Sequence, residues 1–106
     1  ELPPSAFDGV FANASLFHVP TQELGRVLLD LYTCLKAGGV LFCSNPRGPD
    51  TEQFNGDRYG AFLEPATWMD FVLATGFSEL EQYYRPEGRP REEQPWFATV
   101  WRRPSA

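Results

Sequence analysis

His18 is the only histidine in the chain. An imidazole titrates near neutrality, so it could act as a general base on a substrate hydroxyl or amine. Its place just before a helix start also suits an ordinary turn residue, and that plainer account is favoured. Two short polar clusters stand beside it in interest, Asn13-Ala14-Ser15 and Asn45-Pro46-Arg47, each at the end of an apolar run. In open parallel sheets, ligands sit beyond the carboxyl ends of the strands. Small polar residues there let a ligand approach closely, although Asn13 and Ser15 could equally do no more than end a strand and shape a turn. Arg47, Arg58 and Tyr59 lie in a long polar segment and could contact a substrate, or simply be solvated. The two cysteines, Cys34 and Cys43, do not form a CxxC pair, and one histidine cannot complete a zinc site with them. They read as buried free thiols, and no metal is expected. No Ser-His-Asp or Cys-His arrangement is visible.

The elements that must position these residues follow from periodicity. Residues 7–14, FDGVFANA, are short and mostly apolar and read as a strand. Thr21 is placed to cap a helix, with Glu23 in its first turn. Leu24, Val27, Leu28, Leu31 and Leu35 then recur at spacings of three and four, the stripe of an amphipathic helix. Lys36 suits its last turn and Gly38 its left-handed end, while Gly25 weakens it. Residues 40–44, VLFCS, are apolar on both alternating faces, as in a strand buried from two sides. Residues 45–63 form a long loop rich in Pro, Gly and charge. Pro65 fits the first position of a second helix, with Trp68, Phe71, Val72 and Thr75 on one side and Gly76 closing it. Residues 78–85 and 96–102 alternate as two more strands, joined by a second long loop over residues 86–95. Trp96, Phe97 and Trp101 alternate on the last strand, which makes them core or interface rather than an aromatic box. Glu92-Glu93 reads as a solvated stretch.

Composition narrows the function classes. With 106 residues the chain is expected to be one domain, residues 1–106, and 42% hydrophobic residues argue against disorder. The net charge of −5, with Lys and Arg scattered, disfavours nucleic acid and anionic membranes as partners. No apolar run is long enough for a membrane span and no signal peptide opens the chain, so a cytoplasmic protein is expected. Glu1 opens the chain in place of Met, and Leu2-Pro3-Pro4 reads as a linker, so the start looks like that of an excised piece.

The order strand, helix, strand, helix, strand, strand implies an α/β sheet of about four strands, with the first three parallel and the last antiparallel. Right-handed crossovers that advance in one direction put both helices on one face. The other face then lacks a cover, although the strands are apolar there too. Either the rest of a larger fold or a second copy of the chain must shelter it.

FDGVFANASLFHVP, the helix after it, and LKAGGVLFCSNPRG together resemble the post-cofactor half of small class I (Rossmann-like) S-adenosylmethionine-dependent methyltransferases. NGDRYGAFLEPATWMDFVLATGF resembles the stretch that opens the last large helix of that family, and WFATVWRRP its final antiparallel strand. Ala37 stands where the family usually has Pro. The resemblance implies a partial methyltransferase sheet, the C-terminal half, whose strands lie in the family order four, five, seven, six. It implies that Asn13, Ala14 and Ser15 line the methionine side of S-adenosylmethionine in an intact enzyme. It also implies substrate contacts from Arg47, Arg58 and Tyr59, and methyl transfer to a small molecule. The family's glycine-rich turn and ribose-binding acid have no match; Gly38-Gly39 follows a helix and precedes a strand, the reverse of a ligand-binding turn. The isolated chain is therefore expected to bind no cofactor and to be inactive, a non-catalytic homodimerising module or a piece that complements a separate N-terminal half.

Overall fold

A computed structural model describes residues 2–105; Glu1, on which part of the expectation about the start rests, lies outside the described residues. The chain runs through β1 (Phe7–Asn13), a 3-10 turn (Leu16–His18), α1 (Thr21–Cys34), β2 (Leu35–Pro46), β3 (Thr51–Asn55), β4 (Arg58–Phe62), α2 (Pro65–Thr75), β5 (Ser78–Arg85), a second 3-10 turn (Arg91–Glu93) and β6 (Trp96–Arg102). The main sheet has four strands in the order β1-β2-β6-β5. β1 and β2 are parallel, and β6 is antiparallel to both β2 and β5, so β5 runs with β2. This is the α/β half-sheet that the order of elements implied.

Both helices cover one face. Leu24 and Leu28 from α1, and Trp68 and Val72 from α2, share a core with Leu41, Cys43, Phe97 and Trp101 of the sheet. Trp68 Nε1 donates to Thr99 Oγ1 at 3.1 Å within that core, so the indole is buried without leaving its N–H unpaired. The opposite face carries the row Phe11, Phe42, Val100 and Glu81 across the four strands. Phe11 is 72% exposed although its ring stacks on Phe42 at 4.7 Å. Ser44 and Ala98, one row further along this face, are buried because they are small and lie between larger neighbours. No helix of the described residues packs there.

The sheet edges differ. β5 carries Glu79 and Glu81 with a register irregularity between them, two devices that blunt an edge against further pairing. The pairing of β1 is irregular only at its start, between Phe7 and Gly9, and from Gly9 to Asn13 its register is continuous.

Three local expectations are corrected. Thr21 is not the cap of α1: Pro20 occupies that place, its ring offers no capping side chain, and Thr21 lies inside the first turn. The Thr21 amide instead faces Glu52 Oε1 at 3.4 Å, a carboxylate placed at the positive end of the helix. Nor does the helix run on to Lys36 and a Gly38 cap. It stops at Cys34 because Leu35 is extended, and Lys36 lies 3.7 Å from Asp8 instead. Gly38 is left-handed (φ +81°) within β2, where its amide donates to Arg103 O. Gly39 is required by a close approach: a Cβ there would meet Lys36 O at 2.9 Å and Asp8 O at 3.1 Å.

Arg103 does the work expected of Lys36. Its Nη1 donates to the carbonyls of Leu35 (2.6 Å), Tyr32 (3.0 Å) and Thr33 (3.3 Å), and its guanidinium lies 4.7 Å from the centre of the Tyr32 ring. The Thr33 and Leu35 carbonyls lie where a helix end leaves oxygens without intrahelical donors, and the Tyr32 carbonyl accepts from the Leu35 amide as well. Arg103→Ala is expected to lower stability by about 1.5–3 kcal/mol, the range for hydrogen bonds to a charged group; urea denaturation measures it, with Arg103→Lys retaining part of the effect.

Candidate functional site

The carboxyl ends of β1 and β2 lie side by side, and the turn after β1 leads straight to His18. Ala14 takes a left-handed conformation (φ +56°), and its amide donates to Ser44 O at 2.8 Å. A non-glycine residue rarely adopts this conformation, and such positions often mark ligand-facing turns. Asn13 and Ala14 border a cleft of about 310 Å3 with Ser44, Arg85 and Trp96, on the face without helices. Asn13 is exposed there and Ala14 is half-buried, while Ser15 is exposed but does not line this cleft.

His18 lies in a second cleft of about 130 Å3 with Phe17, Arg58, Tyr59 and Phe62. Its Nδ1 lies 2.7 Å from Tyr59 O. A carbonyl only accepts, so Nδ1 carries the hydrogen, and a neutral ring leaves the Nε2 lone pair free to take a proton. The hairpin β3–β4, within a segment whose sequence suggests only loop, brings Arg58 and Tyr59 to His18. Tyr59 Oη in turn donates to Glu52. Three of the candidate residues thus share one small site.

Arg47 is placed differently. Its Nε donates to Gln94 O at 2.7 Å, its Nη2 donates to Arg91 O, and its amide donates to Pro95 O at 2.8 Å. Its guanidinium also lies 5.3 Å from the centre of the Tyr84 ring, over which Arg91 stacks at 3.5 Å. Arg47 therefore ties residues 86–95 to the end of β2. Gln94, buried, adds a bond from Nε2 to Pro86 O at 2.9 Å.

Sequence reasoning missed Asp50 and Glu52. Asp50 accepts from the Glu64 amide at 2.8 Å and from Thr67 Oγ1 at 2.9 Å, at the start of α2. Glu52 serves α1 in the same way. The partners of each acid are too far along the chain for a local capping motif to reveal them. The cysteines are free, as expected. Burial pushes the Cys43 thiol well above the usual thiol range, which removes it as a nucleophile. Among the described residues no group of acidic, Cys and His side chains could hold a metal ion.

No family profile and no curated protein matches this sequence. Solved structures do match its fold. The 1,6-didemethyltoxoflavin-N1-methyltransferase of Burkholderia thailandensis, with 1,6-didemethyltoxoflavin and S-adenosylhomocysteine bound, superposes with a TM-score of 0.79 at 17% identity, over 96% of this chain and 46% of its own. A putative S-adenosylmethionine-dependent methyltransferase from Listeria monocytogenes gives 0.77 at 13% identity, over 97% and 64%. The chain has part of the S-adenosylmethionine-dependent methyltransferase fold. It spans 46% and 64% of the lengths of these two proteins. The methyltransferase fold does not by itself fix the reaction: the [4+2]-cyclase SpnF matches with a TM-score of 0.75 at 17% identity, over 98% of this chain and 52% of its own.

Within this part of the methyltransferase fold, Arg47→Ala is expected to speed amide hydrogen exchange in residues 86–95 while leaving α1 protected. Mass-spectrometric exchange resolves the two regions, and equal acceleration in both would show that Arg47 does not act as a local tie.

Proposed function

We propose that this chain is one half of a methyltransferase that acts on a small molecule, and that residues 1–106 alone neither hold S-adenosylmethionine nor turn over. The fold likeness supports the lineage. The observation that carries the inactivity is the absence of glycine where a cofactor would need it. β1 passes to α1 through residues 14–20, and β4 passes to α2 through Leu63 and Glu64, and neither passage holds a glycine. A phosphate- or sugar-binding strand–turn–helix uses glycines to bring backbone against the ligand. The only paired glycines, Gly38 and Gly39, serve strand packing.

In the assembled enzyme, Asn13, Ala14 and Ser15 line the methionine side of S-adenosylmethionine, the methyl donor that the group supplies when bound. Their small side chains and the Ala14 turn fit close approach to such a ligand. His18 accepts the acceptor's proton at Nε2, held in that tautomer by the Tyr59 carbonyl. Arg58 and Tyr59 contact the acceptor from the hairpin, and Arg47 shapes the neighbouring wall. Positioning an acceptor in line with the methyl group supplies most of what such a transfer needs. The missing half, as a separate polypeptide or as more of the same one, would cover the face that bears Phe11 and pair with β1.

One observation favours a second reading, a non-catalytic homodimer: Phe11 and Phe42 form a stacked apolar pair open to solvent. A second copy of the chain could cover them.

Isothermal titration of S-adenosylmethionine into the isolated chain is expected to give no binding heat, and micromolar binding would overturn the proposed inactivity. Co-expression with a half that carries a glycine-rich strand–turn–helix is expected to recover a complex on pull-down. Light scattering separates the readings: a dimer at micromolar concentration that Phe11→Asp converts to monomer supports the homodimer, and a clean monomer counts against it.

A further inference from the structure

Arg58, on the hairpin β3–β4, is a cation without a counter-ion: among the described residues its side chain joins no ion pair. Glu52, an acid of the same hairpin, accepts from Tyr59 Oη and faces the start of α1. Among the described residues no acid lines the cleft that Arg58 shares with His18. The rest of that cleft is mostly apolar. The Phe17 ring lies 4.0 Å from the His18 ring and 5.8 Å from the Phe62 ring, centre to centre, so the three form one wall. Gly60 keeps that wall bare: a Cβ there would meet the Phe62 ring at 2.8 Å and the Phe17 ring at 3.5 Å. The cleft measures about 130 Å3 and opens to solvent on one side. An enclosed apolar cavity of about 150 Å3 takes a benzene ring, so this cleft has room for one ring with its polar substituents toward the open side.

We propose that this cleft binds a single-ring aromatic acid that bears a hydroxyl, with the ring against Phe17 and Phe62, the carboxylate on Arg58 and the hydroxyl donating to His18 Nε2. A guanidinium matches a carboxylate with two parallel bonds, and aromatic walls favour a flat ring in offset or edge contact. The net charge of −5 repels an anion at a distance, but salt screens that field beyond about 10 Å, and inside the cleft Arg58 decides. As the class of methyl acceptor this rests on the methyltransferase reading, whereas the binding itself needs neither S-adenosylmethionine nor a second half.

The probes are the three hydroxybenzoate isomers, compared with phenol, benzoate and hydroxycyclohexanecarboxylate, which lack the carboxylate, the hydroxyl and the aromatic ring in turn. Titrated into the full 106-residue chain and followed by protein NMR, the best hydroxybenzoate is expected to bind about fivefold more tightly than any of the other three, the effect of one solvent-open polar contact. The amides of Phe17, His18 and Gly60 are expected to shift. Arg58→Gln, at an exposed position, is expected to lower hydroxybenzoate affinity about fivefold and leave phenol binding in place. Arg26→Gln removes the same charge from the exposed side of α1 and is expected to leave both unchanged. An equal affinity for one of the three comparison probes overturns the role of the group it lacks. An unchanged hydroxybenzoate affinity in Arg58→Gln, or an equal loss in Arg26→Gln, overturns the role of Arg58. Shifts confined to other parts of the chain, or no binding of any hydroxybenzoate at millimolar concentration, overturn the site. No methyl transfer is read in these titrations, so their failure leaves the methyltransferase reading standing, and recombined halves that do not turn over leave the binding standing.

Discussion

One-sided shelter governs this molecule. From β1 to β2 and from β2 across β6 to β5, the chain advances in the same direction along the sheet. Right-handed crossovers then place α1 and α2 on the same face. Leu41, Cys43, Phe97 and Trp101 on that face are closed from water. Phe11 and Phe42 point the other way and have only each other and small neighbours. The sheet is apolar enough for two layers of helix and carries one. The imbalance is one of surfaces, and the chain covers 46% and 64% of the two solved methyltransferase structures whose fold it shares in part.

The second organising feature is remote satisfaction of helix ends. α1 has Glu52 at its start and Arg103 at its end, and α2 has Asp50 at its start. None of the three lies in the helix it serves. The acids sit on the segment that also carries Arg58 and Tyr59, so the same contacts that finish the helices hold the hairpin against His18. The polar segment between β2 and α2 is consequently a built wall of the site. Arg47 and Gln94 do the equivalent for residues 86–95.

Much of this was legible in the sequence. The stripe Leu24, Val27, Leu28, Leu31 marked a helix face, though Leu35, read as its continuation, opens β2, and VLFCS marked a doubly apolar strand, because burial acts through short periodicities. Pro65 and Gly76 bounded α2 correctly, since their backbone restrictions are intrinsic. What stayed hidden depended on partners far away in sequence. Thr21 and Lys36 had the local signature of caps, but Glu52 and Arg103 took those roles from 31 and 68 residues away. The hairpin over Thr51–Phe62 was missed because its composition is that of a loop. Among site residues, His18, Arg58 and Tyr59 were each visible as chemistry, but their meeting depends on that hairpin. Asn45 stood in a noted cluster, yet only the folded structure shows that it is buried with its Oδ1 unpaired.

The unlike edges of the sheet have a consequence for assembly. A subunit with two receptive flanks can link neighbours without limit and grow into fibres. Here the flank at β5 is closed by Glu79, Glu81 and their irregular register, while from Gly9 onward the flank at β1 runs without interruption. Of the two edges of the main sheet, only the one at β1 therefore offers a regular ladder to a further strand, and growth strand by strand through both edges of this sheet is blocked.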